Sequence, residues 1–124
     1  MNISPLASVH PKSNLEKDVV IEPFAHIHED VIIGEGTKIH SNVVLYPGTR
    51  IGKYCEIFPG AVIGVIPQDL KFEGEYTLVE IGDYTVIREC VTIHRGTNDQ
   101  KATRIGHHCL LMTYVHVAHD CQIG

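Results

Sequence analysis

The sequence lacks several features that would place it in a large class of proteins at once. It has no run of 18 apolar residues, so the pattern predicts no membrane-spanning helix. The opening MNISPLASVHPKSN contains no apolar core of the kind a signal peptide carries. Positive charge is scarce, since 10 lysines and arginines face 15 aspartates and glutamates. The resulting net charge of −5 argues against a general nucleic-acid binder.

Paired cysteines are also missing. The four cysteines form no CxxC motif, and we expect them to be reduced thiols of a cytoplasmic protein. A chain of 124 residues has room for a single domain with a modest core, so residues 1–124 are expected to form one domain.

What the sequence does have is a six-residue period. On a grid that starts at Ile3 and steps by six, 18 of 21 positions are Ile, Leu or Val, and the exceptions are Asp69, Glu75 and Asp99. Four positions after each aliphatic residue, the side chain is small or β-branched in nearly every repeat. These two positions are two apart, so they face the same side of a short strand.

The remaining positions of each repeat carry turn residues. Five of the six prolines lie two positions after the aliphatic residue, and ten of the eleven glycines lie one or three positions after it. Asp18, Asp30 and Asn42 share the third position, where they tolerate a positive φ. Each repeat therefore predicts one short strand and one corner. Such strands must stack to bury a face, which predicts an all-β, parallel β-helix with three sides and about 18 residues per coil.

Two segments interrupt the grid, at residues 69–80 and 99–104. Their lengths are multiples of six, so they could be degenerate repeats, but the acidic residues at their aliphatic positions favour two loop insertions. If they loop out, the repeats that begin at Ile63, Ile93 and Val117 stack on one side of the coil. Both loops then leave the same edge.

Three histidines and one aspartate are predicted to gather at that edge: His94, His116, His119 and Asp120. Taken singly, Asp120 occupies the turn position of Asp18 and Asp30, and an ordinary turn residue is the simpler interpretation. The clustering beside two loops favours a functional site. By contrast, we expect His10, His28, His40 and the pair His107-His108 to be surface residues, and Cys55, Cys109 and Cys121 to be core residues.

The cluster admits two kinds of chemistry. Three histidines could bind a zinc ion with an open fourth position. A corner histidine followed by a carboxylate fits a general base better, because the carboxylate orients the ring and stabilises the imidazolium. We therefore expect no metal and no cofactor.

The repeats, the segment IPQDLKFEGE, the run IRECVTIHRGT and the motif HVAHDC together resemble the UDP-N-acetylglucosamine acyltransferases, a family of hexapeptide-repeat transferases. The resemblance implies a left-handed β-helix and a homotrimer with active sites between subunits. It implies transfer of a 3-hydroxyacyl group from acyl carrier protein to the 3-hydroxyl of UDP-N-acetylglucosamine, the first step of lipid A biosynthesis.

The resemblance also implies residue roles. His119 matches the catalytic base and Asp120 its orienting carboxylate. Asp69 and Lys71 match residues that contact the nucleotide sugar, and Gln68, His94 and His116 match further residues of the cleft. The family's C-terminal coils and helical domain have no counterpart in these 124 residues, so we expect a truncated form whose activity alone is open.

Three alternatives remain. The first is a related UDP-acylglucosamine N-acyltransferase, in which we expect an asparagine in place of Asp120. The second is a zinc hydratase of the gamma-carbonic anhydrase type, which also uses a β-helix but with a histidine spacing that this sequence lacks. The third is a structural or ice-binding solenoid, which would need a flat ladder of threonines that is not present.

Overall fold

The chain folds into a left-handed parallel β-helix of three six-stranded sheets, as the repeat pattern and the resemblance predict. The computed structural model describes residues 2–66, 76–97 and 100–124. Every strand pair is parallel, and each strand is followed by a corner that turns the chain into the next sheet. None of the described residues forms a helix that could cross a membrane.

The strands are short, and strands that lie three places apart in the chain pair with each other. The first sheet contains β1 (Asn2–Ile3), β4 (Val20–Ile21), β7 (Lys38–Ile39), β10 (Glu56–Ile57), β13 (Val86–Ile87) and β16 (Leu110–Leu111). The second contains β2 (Ser8–Val9), β5 (His26–Ile27), β8 (Val44–Leu45), β11 (Val62–Val65), β14 (Thr92–His94) and β17 (His116–Val117). The third contains β3 (Asn14–Leu15), β6 (Ile32–Ile33), β9 (Thr49–Ile51), β12 (Leu78–Ile81), β15 (Ala102–Ile105) and β18 (Gln122–Ile123).

The strand register measures the length of each coil on the repeat grid. Ile3 pairs with Ile21, the third grid position after it, so an uninterrupted coil consists of three repeats. Across the first interruption, Ile57 pairs with Ile87, which is the fifth grid position after it. Across the second, Ile87 pairs with Leu111, which is the fourth. The first interruption therefore adds the length of two repeats and the second that of one, as the grid indicates, without shifting the aliphatic ladder.

Both interruptions occur at the corner between the second and third sheets. β12 already begins at Leu78 and β15 at Ala102, so the end of each predicted insertion belongs to a strand. The excursions lie between Val65 and Leu78 and between His94 and Ala102. A period of six fixes how many residues are inserted but not where the insertion starts. This explains why the predicted bounds of the insertions differ from the strand ends in the structure. The predicted substrate contacts Gln68, Asp69 and Lys71 lie outside the described residues.

The core is a column of aliphatic side chains along the axis of the β-helix. Ile27, Ile57 and Ile93, one from each of three coils, are all fully buried. The second inward position takes small residues because two side chains from each strand must fit in a narrow cross-section. At three of these positions the residue is a buried threonine whose hydroxyl donates to a nearby carbonyl, as Thr37 Oγ1 does at 2.7 Å to Gly52 O. Of the cysteines predicted in the core, Cys55 is buried, and Cys109 and Cys121 are partly buried against it.

The corners share one backbone conformation. Asp18, Asp30 and Asn42 have φ values of 60°, 55° and 61°, as predicted for the third position of the repeat. Phe24 and Tyr54 occupy the same position with φ values of 67° and 53°. The coil geometry thus imposes the left-handed backbone conformation even on aromatic residues, which rarely adopt it otherwise.

The histidines assigned to the surface have more partners than expected. His40 lies between two carboxylates, with Nδ1 3.0 Å from Glu22 and Nε2 2.7 Å from Glu56, and its ring stacks on Phe58. His28 stacks between His26 and Tyr46. His28 and His40 are partly exposed surface residues, and stacking of the coils gives them partners along their edges. His107 is exposed, as predicted.

Candidate functional site

The site lies at the corner between the second and third sheets, here called the histidine edge. β14 and β17 are neighbours in the second sheet, and Thr92 pairs with His116 in their register. His94 ends β14, and His119 lies in the corner that follows β17. The structure therefore brings His94, His116 and His119 together, as the stacking of the repeats predicts.

His94 is the most buried of the three histidines. Its relative exposure is 7%, and its ring meets the His116 ring edge-on, with centroids 4.7 Å apart. Burial, followed by the nearby His116 and His119 side chains, lowers the pKa of His94 below its ordinary value. His94 is therefore neutral at physiological pH and can offer one donor and one acceptor.

His116 is exposed and fixed by a hydroxyl. Its Nδ1 lies 2.7 Å from Thr92 Oγ1, on the neighbouring strand. This hydrogen bond and the edge-on contact with His94 set the orientation of the ring. Its Nε2 is then the nitrogen left for contact with a ligand.

His119 is paired with the residue that follows it. Its Nδ1 lies 3.1 Å from Asp120 Oδ2, and about a third of the His119 side chain is exposed. A carboxylate that faces Nδ1 favours the tautomer with the proton on Nδ1 and leaves Nε2 as the basic nitrogen. The pair therefore has the arrangement of a general base and its orienting carboxylate.

Asp120 is held by the second loop as well as by His119. The backbone N–H groups of Thr97 and Gln100 donate to its Oδ1 at 2.8 and 3.3 Å, and the Thr97 hydroxyl donates to its Oδ2. Partial burial by itself raises the pKa of the carboxyl, but the hydrogen bonds from Thr97, His119 and Gln100 outweigh burial and lower it. Asp120 is therefore a carboxylate at physiological pH.

The backbone of Asp120 is fixed too. Its N–H donates to Thr103 Oγ1 at 2.9 Å, and its φ is 63°. Thr103 is fully buried. Asp120 thus occupies an ordinary turn position of the repeat but has partners that turn the carboxylate toward His119.

The sequence did not reveal the roles of Thr92, Thr97 and Thr103. Thr97 occupies the small inward position of its repeat, which predicts a core residue and nothing more, and Thr103 falls in the segment 99–104 that was predicted to be a loop. Their contacts with His116 and Asp120 become visible only once the coils are stacked. The available signal in the sequence was that several threonines lie within one coil of Asp120.

The zinc alternative finds no support in this geometry. Among residues 2–66, 76–97 and 100–124, no three His, Cys, Asp or Glu side chains converge as a metal-binding group. His94 and His116 meet ring edge to ring face, with an interplanar angle of 80°.

A cavity of about 550 Å³ lies elsewhere, beside the third sheet. It is lined by Glu80, Asp83, Arg104 and His107 among others, and it includes none of the clustered histidines. We assign no part of the site to it, because none of the residues that gather on the histidine edge lines it.

The repeats match a known family model. Residues 12–46 and 32–64 match the model described as bacterial transferase hexapeptide (six repeats). This match covers the uninterrupted coils that precede the histidine edge.

Curated relatives and solved structures agree with one another. The chain is 57% identical over 63 residues to an acyl-[acyl-carrier-protein]–UDP-N-acetylglucosamine O-acyltransferase of Thiobacillus denitrificans, covering 50% of this chain and 24% of that protein. The solved UDP-N-acetylglucosamine acyltransferase of Bacteroides fragilis is 53% identical with a TM-score of 0.93, covering 94% of this chain and 46% of that one. That of Francisella novicida is 41% identical with a TM-score of 0.95, covering 98% and 45%.

The chain spans about half the length of the solved structures it matches, and the similarity includes both the coils and the interrupted edge. The matched proteins carry the name of an O-acyltransferase, which does not favour the N-acyltransferase or zinc hydratase alternatives. The chain is therefore similar to the hexapeptide-repeat transferases over residues 12–64, and to the UDP-N-acetylglucosamine acyltransferases over most of its length.

Proposed function

We propose that this chain is an acyltransferase that moves a 3-hydroxyacyl group from acyl carrier protein to the 3-hydroxyl of UDP-N-acetylglucosamine, the first step of lipid A biosynthesis. The observation that carries the proposal is the His119–Asp120 pair on the histidine edge, with Nδ1 facing the carboxylate and Nε2 left as a base. The names of the relatives supply the donor and the acceptor.

His119 does the proton transfer in this proposal. Its Nε2 removes the proton of the sugar 3-hydroxyl as the oxygen attacks the carbonyl carbon of the acyl thioester. A carbon–oxygen bond forms and the carbon–sulfur bond breaks. The imidazolium then returns the proton to the departing thiolate of acyl carrier protein, and Asp120 stabilises the imidazolium in between.

The remaining histidines are proposed to bind the substrate. His94 is neutral and buried, so it can exchange hydrogen bonds with a sugar without bringing a charge. His116 offers Nε2 at the exposed surface beside it, since Thr92 occupies Nδ1. Gln68, Asp69 and Lys71 are proposed as further contacts to the nucleotide sugar on the strength of the resemblance alone.

The reaction proposed needs no covalent enzyme intermediate. The cysteines are not suited to act as nucleophiles. Burial raises the pKa of the Cys55 thiol, and Cys121 packs against the core. Acyl carrier protein is a co-substrate, and the mechanism uses neither a cofactor nor a metal.

Assembly and location belong to the same proposal. A homotrimer in the cytoplasm is what the resemblance implies. Phe24, Met112 and Tyr114, along the edge between the first and second sheets, are 60% exposed or more, which is compatible with a subunit contact. The free state of all four cysteines fits a reducing compartment.

The test is turnover by the purified chain with a 3-hydroxyacyl-acyl carrier protein and UDP-N-acetylglucosamine. We expect an ester at the sugar 3-oxygen, identified by mass spectrometry and NMR. A parallel reaction with a glucosamine acceptor that carries a free 2-amino group tests the alternative acceptor. Amide formation there without ester formation on UDP-N-acetylglucosamine would contradict the proposal, and so would the absence of any acyl transfer.

A further inference from the structure

We propose that Thr97 is a positioning residue that holds the Asp120 carboxylate toward His119, and that residues 95–97 and 100–101, between β14 and β15, form the cradle of this carboxylate. The inference rests on the proposed role of His119 as a base. It assigns a purpose to the second interruption of the repeat.

Thr97 contacts both oxygens of the carboxylate. Its backbone N–H donates to Oδ1 of Asp120 at 2.8 Å, and its hydroxyl donates to Oδ2. Oδ2 is also the atom that lies 3.1 Å from His119 Nδ1. Two donors on one residue fix the plane of the carboxylate, so Thr97 determines which oxygen meets the imidazole and in which direction.

The cradle is anchored to the neighbouring strand. Lys101 N–H donates to Thr97 O at 2.8 Å, which closes a turn within the loop. Gly96 N–H donates to Leu78 O at 3.2 Å, and Leu78 N–H donates to Lys101 O at 3.1 Å. A Cβ on Gly96 would lie 2.5 Å from Ala102 N, so the loop closes as tightly as it does because residue 96 is glycine. These contacts hold Thr97 at a fixed distance from the corner of the next coil.

The other inward threonines show what Thr97 would do if it were only a core residue. Thr37, Thr49 and Thr85 occupy the same position of their repeats. Their hydroxyls donate to main-chain carbonyls, Gly52 O at 2.7 Å, Tyr46 O at 2.8 Å and Gly106 O at 2.6 Å respectively. Thr97 departs from this pattern, since its hydroxyl donates to a side-chain carboxylate.

The turn aspartates give the same comparison. Asp30 occupies the position of Asp120 in an earlier coil on the same edge, and its carboxylate binds the Arg50 guanidinium at 2.6 Å. Among the described residues, Asp120 accepts hydrogen bonds from Thr97 and Gln100 and faces His119, and no arginine or lysine is its partner. A carboxylate held by neutral donors keeps its charge for the imidazolium that forms on His119.

The first test reads the tautomer of His119 by long-range ¹⁵N NMR of the imidazole, which requires no turnover. The wild-type chain is expected to have the proton mainly on Nδ1. Thr97→Val keeps the shape and the backbone N–H but removes the hydroxyl, and it should lower the ratio of Nδ1–H to Nε2–H at least about twofold. Thr97→Ser keeps the hydroxyl and should keep the wild-type ratio.

Thr85→Val is the matched control, because it removes a hydroxyl from the same inward position away from the site. It should leave the tautomer of His119 unchanged. If Thr97→Val does not fold, Thr97→Ala replaces it as the variant without a hydroxyl. A wild-type ratio in the hydroxyl-free variant, an equal change in Thr85→Val, or a changed ratio in Thr97→Ser would each overturn the proposal.

The second test uses the kinetics of the wild-type reaction. Thr97→Val should lower kcat roughly 10-fold with little change in KM for UDP-N-acetylglucosamine. On an Asp120→Asn background the same substitution should cost little more, because Thr97 acts through Asp120. Independent, multiplicative losses would contradict a positioning role. If Thr97→Val changes the tautomer ratio of His119 but the wild-type chain shows no acyl transfer, the proposed function is contradicted and this inference stands.

Discussion

His119 Nδ1 lies 3.1 Å from Asp120 Oδ2, although the two residues are consecutive in the chain. Consecutive residues of an extended strand point to opposite faces. The left-handed backbone of Asp120, with a φ of 63°, interrupts that alternation at the corner. A conformation that the β-helix uses at most of its described corners thus places a carboxylate beside a base.

Asp120→Asn is expected to lower kcat for acyl transfer roughly 10²-fold. The amide cannot stabilise the imidazolium, and its NH₂ group can face Nδ1 and favour the wrong tautomer. Steady-state kinetics at saturating substrate measure the effect. Asp18→Asn is the control, because Asp18 has the same turn conformation on a different edge. Equal losses in the two variants would show that the corner, and not the carboxylate, matters.

His94 is expected to make the fold less stable in mild acid. Burial holds the pKa of His94 below 6.5, its value in the unfolded chain, so the unfolded chain binds more protons below that pH. The free energy of unfolding should therefore fall as the pH decreases from about 6.5. Urea unfolding followed by circular dichroism at about pH 7.5 and about pH 5.5 measures the change.

His94→Gln should reduce this pH dependence, since glutamine does not titrate. Part of it should remain, because burial also lowers the pKa of His28 in the same direction. His107→Gln is the control, with a side chain that is 67% exposed. A His94→Gln variant with the full pH dependence of the wild type would contradict the burial argument.

Ile57→Ala is expected to lower the free energy of unfolding by about 2–5 kcal/mol. Ile57 is fully buried in a central coil, and its removal leaves a cavity that the neighbouring coils cannot collapse to fill. Ile3→Ala, on the same sheet and at the same position of its repeat, should cost less because Ile3 is 37% exposed. Chemical denaturation of both variants decides, and equal losses would argue against a continuous core.

The repeat explains why so much of the fold could be predicted. The aliphatic grid positions of the described strands are buried from Ile21 to Val117, and the turn residues Asp18, Asp30 and Asn42 have the predicted positive φ. The same requirement, an inward aliphatic residue followed by a corner, recurs in nearly every repeat, so the pattern can be recognised from many positions. The gathering of His94, His116 and His119 followed from counting repeats, because residues that are one coil apart in the sequence become neighbours when the coils stack.

The contacts between coils could not be predicted in the same way. The grid places Thr97 in the core and Thr103 in a loop, and only the folded structure shows that both bind Asp120. The pairing of His40 with Glu22 and Glu56 depends on rotamers that the pattern does not specify. Val115 occupies an inward position and is still 36% exposed, because burial also depends on what stacks above it.

The account depends most directly on His119 as the base. The measurement that tests it is kcat for acyl transfer by His119→Ala, with circular dichroism to show that the β-helix is intact and His107→Ala as the control for an exposed histidine. The account predicts a loss of roughly 10²- to 10⁴-fold for His119→Ala and none for His107→Ala. A folded His119→Ala variant that keeps the wild-type kcat would contradict it.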